Sequence, residues 1–194
     1  EIYTLSLHDA LPILVDTSDT RAAAARATRH LLDGGHRRLA LLTERLIVPT
    51  AVERRDGFLD ALGEAGLREQ DALLVSGLTS AERAERALAG LLTSPRPPTA
   101  VLSGQNLIAE GAVRALWRAG LQHAIAHVGF DDLPLADVLD PGLTVIRQDP
   151  QRMGRLAAER LFRRLDGEAL EAEHLIVPTR LIVRGSGEIR PVSP

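Results

Sequence analysis

The sequence contains no cysteine and no lysine, and its aromatic content is 3%. Without thiols there can be no thiolate nucleophile, Cys-based zinc site or redox pair, although this says little about compartment, because many cytosolic proteins also lack disulfides. All 23 basic residues are arginine, which together with the abundant alanine reflects a GC-rich coding sequence rather than a function. Tyr3, Phe58, Trp117, Phe130 and Phe162 are too few for a base-stacking surface, and a formal net charge of -3 argues against general binding to a phosphate backbone. No GxGxxG follows an expected strand, a GxxxxGKS/T loop is impossible without lysine, and GxSxG and HExxH do not occur. Of the histidines, only His123 and His127 lie close in sequence. They straddle the start of an expected strand, where that spacing does not place both on one face, so no metal or other cofactor is expected. No apolar run approaches the length of a membrane span, so no membrane partner is expected either.

What is present is a chain of 194 residues with 45% apolar content, enough for a buried core in one domain or two small ones. Glu1 to Ile13, EIYTLSLHDALPI, has no helix or strand period that continues beyond Ile13. Codon by codon it resembles a translated short-read sequencing adapter, so residues 1–13 are expected to be non-native and are set aside from the fold. The segment also lacks the basic start and the apolar run of a signal peptide.

From Asp16 onward the pattern alternates. Helical spacing is expected over 21–32, 51–65, 80–92, 107–120 and 150–166, with Asp33-Gly34-Gly35 and Gly66 as stops and Ser80 as a cap. Between these helices lie short apolar runs of strand length: 39–43, 72–77, 99–104, 124–130 and 143–148, with two more around Pro178. Continuous apolar strands separated by helices imply an α/β fold, a doubly wound parallel sheet buried on both faces. Ligands of such sheets bind beyond the carboxyl ends of the strands, so side chains just after Leu42, Gly77, Gly104 and Phe130 are site candidates. Asp131-Asp132 falls there, but adjacent residues point in different directions and no nucleophile or general base accompanies them. Binding is therefore the better expectation, and no enzyme activity is assigned.

Read in order, Gly35-His36-Arg37-Arg38-Leu39-Ala40-Leu41-Leu42, Glu53-Arg54-x-x-Gly57-Phe58, Pro98-Thr99-Ala100-Val101, Val128-Gly129-Phe130-Asp131-Asp132, Leu143-Thr144 with Gln148, Met153-Gly154 and Pro178 to Ser186 resemble the lactose/galactose-repressor (LacI/GalR) family of transcription regulators. The resemblance runs from about Val15 to Ser186. It implies a two-lobed sensor of the periplasmic-binding-protein type (type I) that holds a small effector, a sugar or a purine-like molecule. In the family, a helix-turn-helix head precedes the sensor and contacts operator DNA; the resemblance implies that this head is missing from the present sequence. The resemblance places 14–34 and 150–178 as remnants of the N-terminal lobe, and 35–149 with 179–190 as the C-terminal lobe. Homodimerisation through helix 107–119 and loop 133–141, and a cytoplasmic location, are implied in the same way.

By the same resemblance the arginine of RxxGF, Arg54, and the first aspartate of GFDD, Asp131, contact the effector. Asp132 is expected to stabilise the adjoining loop, and Arg55 to be a solvated helix residue. Where the family has Asn-Asp after the third strand this chain has Gly104-Gln105-Asn106, so either Gln105 or Asn106 is expected to supply the amide. Gln148, Asp19 and Thr79 are weaker candidates. The alternative function is a periplasmic sugar-binding protein of a transporter, which would share the two-lobed fold.

Overall fold

The computed structural model describes residues 15–16, 19–168 and 175–191. The expected foreign segment 1–13 lies outside the described residues. The chain divides into two units, Glu1–Asp19 with Gln148–Pro178, and Thr20–Arg147 with Thr179–Pro194.

In chain order the elements are β1 (Val15–Asp16), α1 (Thr20–Asp33), β2 (Leu39–Leu42), α2 (Pro49–Glu64), β3 (Leu73–Val75), α3 (Ala81–Leu92), β4 (Ala100–Ser103), α4 (Asn106–Ala119), β5 (Ala126–Phe130), β6 (Thr144–Arg147), α5 (Pro150–Leu165), β7 (Leu175–Ile176) and β8 (Arg180–Ile182). In the larger unit the sheet order is β3-β2-β4-β5-β6-β8, parallel throughout except for β6 with β8. Strand alternation sends Leu39, Leu41, Ala100, Leu102, Ala126, Val128 and Phe130 to one face, where they meet α1 and α2 through residues such as Leu31, Phe58 and Leu62. Ala40, Leu42 and Val101 face the other way, against α3 and α4 through Leu88, Ile108 and Leu116. Each such buried Leu or Phe is worth about 1.5–3 kcal/mol relative to exposure, which makes these two layers the main stabilising feature of the unit.

Glycine lets the helix pairs approach closely. A Cβ on Gly57 would lie 2.0 Å from the Arg21 carbonyl oxygen, and one on Gly111 would lie 2.2 Å from that of Ala81. The α1–α2 and α3–α4 contacts are therefore backbone against backbone, which no other residue permits at these positions.

The expected parallel sheet carries one antiparallel strand at its edge, because the chain leaves the sheet at Arg147 and re-enters at the same end, with Arg180 opposite Arg147. One expectation is corrected: the grouping of 14–34 with 150–178 fails for its helix. The fully buried Ala23, Ala24, Ala27 and Leu31 of α1 pack on α2 and the sheet, so α1 belongs to the larger unit.

In the smaller unit β1 pairs in parallel with β7. Helix α5 is capped by Asp149, whose side chain accepts a hydrogen bond from the Arg152 N–H at 2.9 Å. Pro150 occupies the first helical turn, where its missing N–H costs nothing. The helix leaves Phe162 and Leu165 exposed.

Candidate functional site

The sheet register creates a row of residues beyond its carboxyl edge. Val75 pairs with Leu42, Leu42 with Ser103, Ser103 with Gly129, and Gly129 with Val145. Two residues further along each strand come Gly77, Glu44, Gln105, Asp131 and Arg147. Apolar strands give way at one level to polar groups.

Arg54 reaches this row from α2. Its buried neighbours Ala51, Gly57, Phe58, Ala61 and Leu62 form the apolar stripe of the helix, and Arg54 lies within that stripe. A buried cation needs a partner. The Arg54 Nη1 donates to Glu44 Oε1 at 2.8 Å, with side-chain exposures of 7% and 15%. Glu44 Oε2 in turn accepts from Thr43 Oγ1 at 3.0 Å. The guanidinium lies 4.6 Å from the centroid of the Phe130 ring, which strand alternation turns toward α2. Arg54 Nε is buried and makes no hydrogen bond.

Asp131 sits directly after Phe130 in a left-handed conformation, φ 67°, which aspartate tolerates better than most residues. Its N–H donates to the Ile146 carbonyl at 2.9 Å, so β5 and β6 fix where the turn occurs. Asp131 is half-buried. Asp132 accepts from Arg184 Nη1 and Nη2 at 2.6 and 2.9 Å, and Arg147 Nε lies 3.6 Å away. The hydrogen bond from Arg184 holds the Asp132 carboxyl below the usual aspartate range. Asp132 thus ties the end of β5 to the segment after β8.

The amides after β4 serve the helix that begins there. Gln105 is the N-cap of α4, its side chain accepting from the Leu107 N–H at 3.2 Å; Asn106 Oδ1 accepts from the same group at 2.8 Å. Thr79 is exposed in the loop after β3. Asp19 and Gln148 fall in the smaller unit, both half-buried. Arg55 is half-buried and donates to Asp56 at 2.9 and 2.6 Å.

Sequence reasoning passed over Glu44, although the rule about strand ends pointed to its neighbourhood. The available signal was a carboxylate two residues after a fully apolar strand, ten positions before an arginine on a buried helical stripe. Among the described residues, no group of three or more His, Cys, Asp or Glu could hold a metal ion. His127 is buried, lies 2.9 Å from Ser103 Oγ through Nε2, and titrates near 4 because burial disfavours its charged form.

Residues 28–187 match the family described as the periplasmic binding protein-like domain. The chain belongs to that family. Within it, similarity runs to transcription regulators. The ribose operon repressor of Escherichia coli (strain K12) is 36% identical over 162 residues, covering 82% of this chain and 49% of the repressor. The HTH-type transcriptional regulator CelR of Thermobifida fusca is 32% identical over 171 residues, 87% of this chain and 50% of CelR. The chain therefore spans about half the length of the curated relatives it matches. Among solved structures, a LacI family transcriptional regulator from Enterococcus faecium with bound ribose superposes with a TM-score of 0.80 at 26% identity, covering 90% of this chain and 64% of that one. A LacI family regulator from Mycobacterium smegmatis gives a TM-score of 0.78 at 33% identity, with 89% and 64% covered. The periplasmic binding protein-like fold, an α/β sheet flanked by helices on both faces, is thus shared with LacI-family sensors. Among the described residues, no helix is long and apolar enough to cross a membrane.

Proposed function

We propose that this chain is the effector-sensing part of a LacI-type transcription regulator, a repressor, and that its effector is a small sugar. The observation that carries this reading is Arg54, a guanidinium held on the buried stripe of α2, stacked on Phe130 and braced by Glu44, at the level where Asp131 leaves the sheet. A neutral polyol suits that arrangement, because each hydroxyl can accept from a guanidinium and donate to a carboxylate. The ribose bound to the Enterococcus faecium regulator supports the choice of a sugar over a purine-like ligand. Arg54 and Asp131 are the principal contacts in this reading. Gln105 and Asn106 retain amide N–H groups for a ligand while their oxygens cap α4.

Coupling to DNA requires that the effector bind two arrangements of the regulator unequally. Operator contact belongs to a separate head in this proposal, which puts the protein in the cytoplasm and leaves catalysis out of its role. Homodimerisation through α4 and loop 133–141 is supported by the exposed Trp117, Leu135 and Val138 on those segments. The gene upstream of Val15 decides between a regulator and a transporter component. An in-frame helix-turn-helix segment is the expected result, and a signal peptide would overturn the proposal in favour of a periplasmic sugar-binding protein.

A further inference from the structure

We infer that Glu44 sets the chemical class of the effector, admitting neutral or amino-bearing polyols and turning away anionic ones such as sugar phosphates and sugar acids. The inference rests on the proposal that Arg54 meets the effector. An arginine fork with an uncompensated charge is a ready receptor for carboxylate or phosphate, whose two oxygens match its donors. Here that receptor is already engaged. The Glu44 carboxylate takes Arg54 Nη1 at 2.8 Å, and the Thr43 hydroxyl at 3.0 Å fixes its other oxygen, so it cannot swing aside without losing two hydrogen bonds. Side-chain exposures of 7% and 15% leave little water to screen the pair. Glu44 and Asp131 also stand at the same level of the sheet, both two residues beyond the in-register row Leu42, Ser103 and Gly129.

An incoming anion carries acceptors only. It would compete with Glu44 for the guanidinium and lie against a like charge at short range. A hydroxyl meets the same pair as acceptor toward Arg54 and donor toward Glu44, and an ammonium group adds donors for the carboxylates. Glu44 is in this sense a specificity-determining residue, fixed by β2 and Thr43 rather than by the helix that carries Arg54.

Phosphate tests the idea without knowledge of the natural effector. Inorganic phosphate is titrated by calorimetry against the unaltered protein, Glu44→Gln, and Glu44→Gln combined with Arg54→Gln; Glu44→Ala repeats the comparison if Glu44→Gln melts early. The expected result is saturable phosphate binding in Glu44→Gln at least tenfold tighter than in the unaltered protein, lost when Arg54→Gln is added. A difference below tenfold, or phosphate binding that survives Arg54→Gln, overturns the inference. Ribose and ribose 5-phosphate are then compared on the unaltered protein. A preference for the phosphate overturns it as well, whereas failure of both sugars counts against the sugar effector alone and leaves the phosphate titrations to judge Glu44.

Discussion

The Arg54 guanidinium rests 4.6 Å from the centre of the Phe130 ring, so the helix after β2 is joined to the last residue of β5 by a cation stacked on an aromatic face. Phe130 is 1% exposed, which keeps water from the stacked face. A cation–π contact of this kind is worth about 0.5–2 kcal/mol. In urea denaturation, Phe130→Leu should cost about 1–2 kcal/mol through lost packing and lost stacking together. Repeating it in an Arg54→Gln background should lower that cost by about 0.5–1 kcal/mol. Strict additivity of the two substitutions would show that the stacking contributes nothing.

Gly57 and Gly63 lie on the same helix but in opposite circumstances. A methyl at 57 meets the Arg21 carbonyl at 2.0 Å, whereas one at 63 meets nothing within 4 Å. Gly57→Ala should destabilise by about 3 kcal/mol because backbone must move, and Gly63→Ala should stabilise by a few tenths up to about 1 kcal/mol from helix propensity. Thermal melts of the two variants measure the contrast directly.

Burial of His127 gives the protein a pH dependence in a definable window. Its folded-state value of about 4 lies below the ordinary 6.5, so the unfolded chain takes up the proton first as pH falls. Stability is therefore full above pH 6.5 and declines as pH falls toward 4, by about 1.4 kcal/mol per unit within that window. His36, whose titration is also depressed by burial, adds to the decline in the same direction. Denaturation midpoints measured from pH 7 to pH 4.5 should fall, and His127→Gln, which keeps a partner for Ser103, should flatten the slope.

Asp132 contributes in a more acidic range. Its pairing with Arg184 lowers its titration below 3.8, so its stabilisation is present above that value and is lost as pH falls below it. Asp132→Asn should cost about 1–2 kcal/mol at neutral pH, as removal of a charge-assisted pair does. The variant should also lose less stability than the unaltered protein below pH 4.

Much of the fold was legible because apolar periodicity reports burial directly. The expected helices and strands of the larger unit agree with the observed ones to within a few residues, and the position of the candidate site follows from where apolar strands end. Direction and partnership were less visible. Nothing in the local pattern of Arg180–Ile182 shows that it runs against β6, since direction depends on the end of the sheet at which the chain returns. The assignment of α1 turned on which surface its Ala and Leu face covers, and amphipathicity indicates a buried face without naming the neighbour. For Arg54 and Asp131 the motif resemblance singled out one residue on α2 and one just beyond β5. Glu44 was hidden because its role comes from a partner on another element, and the Asp132–Arg184 pair spans 52 positions that only folding brings together.

Whether Arg54 and Asp131 govern a sugar response is the central question for this protein. A thermal-shift titration of ribose and other neutral monosaccharides against the protein, Arg54→Ala and Asp131→Ala measures this. At a hundredfold excess over Kd a ligand specific for the folded state adds about 2.7 kcal/mol of stability, which is readily seen as a rise in Tm. The predicted result is a saturable rise with at least one sugar for the unaltered protein, abolished in each variant. Equal, unchanged titrations in both variants would contradict the assignment of Arg54 and Asp131 to the effector site.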